Sequence, residues 1–297
     1  MRDYPFGSFY RDKPDLELIR SAQQGSRAAL EALVKRHQHY IYNVAHKMVL
    51  SPADAEDITQ EVLVKLITKL GQFKGDSSFR TWLYRITFNH FLEMKKYRLE
   101  EFVTDFQSMG EHLDAIENNE LTELEQAERR VEIEEAKLGC LSAMLLCLDR
   151  EQRLVYVLGE IFGVGHTLGA TLLNISPDNF RQRLSRARKD LYQFINRKCG
   201  LINTANPCRC ATKTKGFIKA KWVDPVTMKF NTHYLHRVRD VATQGAVDLE
   251  HLLDTRYASL FRAHPFQQRN HVTRLFRDLL NDERVKATFG LNGTPDN

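Results

Sequence analysis

Long apolar runs are missing from this 297-residue chain: none approaches the roughly 18 residues that a membrane span needs. The opening residues, MRDYPFGSFYRDK, lack the basic and then apolar pattern of a secretion signal. The expectation is a protein that stays in the cytoplasm and has no membrane partner. Cysteine is scarce. The five cysteines are odd in number and fall in two regions, which argues against a disulfide scaffold. Also absent are internal repeats, low-complexity tracts, a phosphate-cradling glycine loop, a nucleophile triad and a carboxylate pair with positioned partners. A binding protein is expected, not an enzyme.

Hydrophobic residues make up 42% of the chain, enough for real cores, and the length suits two or three domains. Net charge is only +5, but it is unevenly placed. Between Glu100 and Lys137 thirteen acidic residues face three basic ones, Arg129, Arg130 and Lys137. That segment carries −10 and leaves +15 for the rest. Two basic blocks joined by an acidic connector suit a nucleic-acid binder whose linker avoids DNA; a merely solvated helical linker explains the charge equally well.

The first block, residues 15–98, has no period-two alternation and reads as all-α. Gly25-Ser26 breaks the chain and caps a helix with Leu30, Leu33, Ile41, Val44 and Met48 on its apolar face. Ser51-Pro52 opens a second helix that Gly71 stops near Leu70. Ser77 or Ser78 caps a third, running from Phe79 to about Tyr97. On the second helix, Ile58, Val62, Leu63, Leu66, Ile67 and Leu70 share one half of the wheel, and Asp57, Gln60, Glu61 and Val64 share the other. The polar half suits docking on another protein. The third helix and the loop before it interleave Phe73, Phe79, Trp82 and Tyr84 with Lys74, Arg80 and Arg85. Phe79, Trp82, Leu83 and Ile86 mark a packing stripe. Arg80, Tyr84, Arg85 and Asn89 lie off it, where cations and aromatic faces can hold unstacked bases. Lys95, Lys96 and Arg98 extend the basic surface.

Residues 99–137 form the acidic linker, broken at Gly110 and helical from about Leu121. Residues 138–198 form the second block. Asp149 and Gln152 have capping-box spacing, Gly163–Gly165 ends the helix they open, and a short helix covers about Thr167–Leu173. Asn174 tolerates the left-handed conformation of a tight turn, and Ser176-Pro177 starts the next helix. There Phe180, Leu184, Ala187 and Leu191 form a narrow stripe opposite Asn179, Gln182, Arg183, Arg186 and Lys189. An anchored apolar side with amide and guanidinium groups outward is what a helix entering the major groove needs.

The string Asp57-Ile-Thr-Gln60-Glu61, the segment FKGDSSFRTWLYRI and the helix ISPDNFRQRLSRARKDL together resemble the sigma-70 family of bacterial transcription initiation factors, in its small extracytoplasmic-function form. The resemblance covers about half the chain. It implies two all-α modules, region 2 and the region 4 helix-turn-helix, joined by the acidic linker. It implies core RNA polymerase as partner at Asp57, Gln60 and Glu61. It places contacts to the melted minus-ten element at Phe73, Lys74, Ser77, Ser78, Arg80, Trp82, Tyr84, Arg85 and Asn89. Contacts to minus-thirty-five duplex fall to Ser176, Asn179, Gln182, Arg183, Arg186 and Lys189. An anti-sigma factor fits the same resemblance. Thr167, Leu168 and Gly169 depart from the family's usual acidic and branched residues, and Asn174 stands where glycine is usual. The alternative is a stand-alone helix-turn-helix regulator, which would not need the Asp57/Gln60/Glu61 face.

Residues 199–297 form an extension outside the resemblance, expected to begin as loop with a short hairpin and to turn helical from about 233. Cys199, Cys208 and Cys210 lie close together, and such thiols suit zinc or a redox switch, with His233 and His236 the nearest further ligands. Cys140 and Cys147, among leucines, read as core. The basic run GFIKAKW could touch DNA.

Overall fold

The computed structural model describes residues 13–225. Among these every regular element is helical, apart from one isolated β-bridge between Cys199 and Cys208. The expected helices past residue 233, and His233 and His236, lie outside the described residues. Packing divides the chain into two compact units, one holding 13–95 and 164–179, the other 96–163 and 180–225.

The first unit opens with α1 (Lys13–Gln23) and α2 (Arg27–Val49). Gly25, at φ 93°, turns the chain between them, and the Ser26 hydroxyl accepts the Ala29 amide at 3.3 Å. Asp15 is wholly buried and is held by Arg36 at 2.7 Å and His37 at 3.3 Å. Ser51 caps α3 (Pro52–Lys69) by accepting the Asp54 amide. Ser78, not Ser77, caps α4 (Phe79–Glu93), which stops short of Tyr97. α4 packs with α2 and α3.

In the second unit the acidic segment folds as α5 (Arg98–Phe102), α6 (Phe106–Ala115), α7 (Glu123–Glu128) and α8 (Arg130–Met144). Gly110 does not break it: this glycine sits inside α6, where a Cβ would stand 3.3 Å from Lys198 Cε. Met109 and Leu113 on α6 are buried, so this is a packed element and no loose connector. Glu100, 4% exposed, accepts hydrogen bonds from Arg150 at 2.7 and 3.0 Å and from Arg153 at 2.8 Å. Arg153 spends its other donors on the carbonyls of Leu145, Leu146 and Leu148. Burial alone would raise the Glu100 pKa, but the Arg150 hydrogen bond and the Arg153 charge outweigh it and hold the carboxyl below its ordinary 4.5.

Asp149 caps α9 (Arg150–Tyr156), which runs into a π-helical turn, Val157–Ile161, and ends at Gly163 with φ 65°. α10 (His166–Leu173) belongs to the first unit and packs on α4. Asn174 ends it in the left-handed region, φ 56° and ψ 42°, as its side chain allows. α11 (Pro177–Lys198) follows, with Phe180, Ala187, Leu191, Phe194 and Ile195 buried along one side.

The expected hairpin is corrected to a helix, α12 (Cys210–Lys219), packed on α8. Gly216 lets it approach the 116–117 turn, where a Cβ would meet Ile116 Cγ2 at 2.6 Å and the Glu117 carbonyl at 2.8 Å. Asn119 N–H donates to the Thr212 carbonyl at 2.7 Å, and Lys213 Nζ to that of Leu113 at 2.9 Å. Lys215 pairs with Glu125 at 2.9 Å and Lys219 with Glu117 at 3.1 Å. Within the basic run expected as a DNA contact, Lys219 is thus met by the chain's own acidic segment.

Candidate polymerase- and nucleic-acid-binding surfaces

Because α3 buries Ile58, Val62, Leu63, Leu66 and Ile67, its opposite side must face outward. Asp57 and Glu61 are exposed and Gln60 is half-exposed. Glu61 has company that sequence reasoning missed. Its carboxylate lies 3.2 Å from His90 Nε2, while Lys65 Nζ sits 2.8 Å from His90 Nδ1. Burial first, then the Lys65 charge, lower the His90 pKa from its ordinary 6.5; Glu61 and Glu93 only partly offset this. A largely neutral imidazole therefore backs the acidic face at neutral pH. The one hint in the sequence was the Glu61–Lys65 spacing of four, which says nothing about His90.

The aromatic segment divides in a way its sequence did not reveal. Phe73 and Phe79 are buried, with ring centroids 5.5 Å apart; Trp82, half-exposed, lies 5.4 Å from Phe73 and 5.7 Å from Phe79. Tyr84 is wholly buried, 6.1 Å from the His37 ring and 5.7 Å from Phe88. It is a core residue and offers no face to a base, which corrects its expected stacking role. The buried side of α4 runs through Phe79, Leu83, Tyr84, Thr87, Phe88 and Phe91, whereas Ile86 and Trp82 are half-exposed. The helix is rotated from the phase that its tryptophan suggested. Lys74 and Asn89 are exposed, Ser77, Arg80 and Arg85 half-exposed. Ser78 is committed to capping, its hydroxyl accepting the Thr81 amide at 3.1 Å. Arg85 Nε donates to the Thr171 carbonyl of α10 at 3.1 Å.

Just before α11, Ser176 accepts the Asn179 amide at 3.1 Å. Gln182, Arg186 and Lys189 are exposed, and Asn179 and Arg183 half-exposed. Arg183 pairs with Glu151 of α9, and Arg188 with Glu160 of the π-helical turn. Gly159 lets α11 pack closely there: a Cβ would meet Leu184 Cδ2 at 2.8 Å.

The segments carrying these faces coincide with two family matches. Residues 33–98 match sigma-70 region 2, and residues 138–191 match sigma-70 region 4. The chain belongs to the sigma-70 family. Similar relatives of this sigma factor include the RNA polymerase sigma-H factor of Pseudomonas aeruginosa, 29% identical over 180 residues, 59% of this chain and 90% of that protein. The sigma factor NccH of Alcaligenes xylosoxydans is 28% identical over 182 residues, 61% and 94% of the two chains. The ECF sigma-E factor of Escherichia coli K12 is 29% identical over 181 residues, 59% and 91%. Among solved structures, CnrH in complex with the cytosolic domain of CnrY is similar at 24% identity and a TM-score of 0.44, covering 62% of this chain and 97% of that one. Like its relatives, the chain is an extracytoplasmic-function-type transcription initiation factor that works with RNA polymerase at promoters.

Among the described residues no helix is long and apolar enough to cross a membrane. Nor does any group of three or more His, Cys, Asp or Glu side chains among them stand ready to hold a metal ion. The zinc expectation at Cys199, Cys208 and Cys210 therefore finds no support there.

Proposed function

We propose that this sigma factor docks on core RNA polymerase through Asp57, Gln60 and Glu61. The observation that carries the reading is the outward acidic face of α3, on a helix whose other side is all core. A cationic surface on the large polymerase subunits would meet it. The proposed reader of the upstream promoter element is the outer side of α11, with Gln182, Arg186 and Lys189 presented and Arg183 reached by exchanging Glu151 for DNA. Lys74, Ser77, Arg80, Arg85, Asn89 and the open edge of Trp82 are the proposed grip on the melted strand. For Arg85 this requires letting go of the Thr171 carbonyl. A protein inhibitor of the anti-sigma kind would compete for these same faces, and the work is placed in the cytoplasm, beside the polymerase.

The test is charge reversal at Asp57 together with Glu61. Both are exposed, so the fold should lose less than about 0.5 kcal/mol. Co-purification with core polymerase should vanish while the melting temperature stays put. Wild-type binding by the double variant would refute the docking face and move the polymerase contact to other residues.

A further inference from the structure

Four of the five cysteines converge in the second unit. Cys140 comes from α8, Cys199 follows the end of α11, Cys208 ends a loop and Cys210 opens α12, which packs on α8. After burial, the nearby thiols of Cys210, Cys199 and Cys208 are the next influences raising the Cys140 pKa, so this cysteine has thiol neighbours as well as its leucines. Within the group one pair is singled out by backbone geometry. Cys199 and Cys208 face each other in a parallel β-bridge, and Gly200 N–H donates to the Cys208 carbonyl at 3.0 Å. Gly200 must lack a side chain, because a Cβ would collide with that carbonyl. The loop between the cysteines is tied down. Asn206 Nδ2 donates to the carbonyls of Asn196 at 2.8 Å and Cys199 at 3.2 Å, and Arg209 Nη2 to that of Thr204 at 2.7 Å. Paired strands run about 4.8 Å apart, inside the Cα window of about 4.4–6.8 Å that a disulfide spans.

We propose that Cys199 and Cys208 are a reversible disulfide pair, with Cys208 oxidised first by a hydroperoxide and Cys199 resolving it. Cys208 is half-exposed and lines a cavity of about 260 Å³ beside Arg197, Lys198 and Lys213, whereas Cys199 is buried. The Cys208 thiolate attacks the peroxide O–O bond and becomes a sulfenic acid, releasing water. The Cys199 thiol then attacks the sulfenic sulfur and expels a second water. Two thiols and one hydrogen peroxide thus give one disulfide and two waters, the thiols' two electrons reducing the peroxide. A dithiol reductant reverses the change. Around Cys208, burial, the Cys199 thiol and the Asp114 carboxylate raise the pKa; Lys213 and Arg209 pull it back only in part. The neutral thiol therefore dominates at neutral pH, and oxidation should quicken about tenfold per pH unit until that pKa is reached.

The test uses the full chain, reduced without oxygen, exposed to hydrogen peroxide and then blocked with N-ethylmaleimide. Two of the five thiols should disappear. One peptide pair should join Cys199 to Cys208, about 2 Da lighter than the separate thiol peptides, and dithiothreitol should restore both. Because the β-bridge already holds the two backbones side by side, the oxidised protein should melt higher than the reduced one. C199S should leave a sulfenic acid at Cys208 that dimedone captures, C208S should capture none there, and C140S should leave the cross-link intact. A link between Cys140 and Cys210 instead, single conversion of thiols to sulfinic acids, or thiols shielded by zinc in the purified protein would each overturn the pair; all are read on the unmutated chain.

Discussion

Tyr84 and Trp82 stand two residues apart on α4 and do different work. The tyrosine is sealed between the His37 and Phe88 rings, and the tryptophan keeps one edge open beside Phe73 and Phe79. Tyr84→Ala should therefore cost about 3–5 kcal/mol of stability, as truncations of buried aromatics do, and a urea titration of the chain would read it. Glu100 is a second residue of this kind. Removing its carboxylate takes from Arg153, itself 3% exposed, the charge partner 2.8 Å away. Glu100→Ala should destabilise by about 3–5 kcal/mol. In the wild type, this carboxyl's contribution is present above the unfolded value of 4.5 and is lost as pH falls through the lower native one. Thermal melts of both proteins between neutral and acid pH should therefore converge at the acid end.

Among the elements, α11 offers the sharpest test. Arg186 and Lys189 project from a helix anchored by Phe180, Ala187 and Leu191, so replacing both with alanine should leave the fold intact. If Arg186 reads a base, its loss should cost about 1–3 kcal/mol and relax preference at one promoter position, while loss of a phosphate contact at Lys189 should lower the salt slope by about one. Fluorescence titrations on matched and scrambled duplexes separate the two. On the α4 side, Lys74→Ala with Asn89→Ala removes exposed groups only. Holoenzyme with this variant should form closed complexes yet open strands poorly, and a template mismatched across the start region should restore transcription. The same two helices show what the sequence could reveal. Around α11 the capping serine, the proline at the first turn and the left-handed Asn174 are local signals, and each appears where its chemistry places it. On α4 two aromatic residues compete for one core, and it is the packing of neighbouring helices against it that puts Tyr84 inside and leaves Trp82 half-exposed. Gly110 inside α6 and the helix α12 were hidden for the same reason: both depend on partners far along the chain, Lys198 for one and α8 for the other.

For the molecule as a whole, acid is the condition to watch. His39 is lowered from 6.5 by burial, and His90 by burial and Lys65. As pH falls below about 6.5 the unfolded chain takes up these protons before the native one does, so stability is full above that value and declines toward the native pKa values. Scanning calorimetry should show the melting temperature falling between pH 7 and 5.5, and His90→Gln should blunt the fall. The charges on the α3 face are then seen against a changing background, because protonated His90 would neutralise part of Glu61.

The meeting of the acidic segment with α12 also bears on how DNA affinity should be measured. Lys215 and Lys219 are occupied by Glu125 and Glu117, and Lys198 by Asp114 at 2.6 Å. Salt sensitivity of binding counts the mobile ions set free when phosphates take new cations. A lysine already matched by its own chain's carboxylate brings no such release, since one internal partner is merely traded for another. Among the described residues, the ion count should thus report α11 and α4 and be nearly blind to α12. Glutamine at both Glu117 and Glu125 should make those two lysines visible, steepening the logarithmic slope by about two.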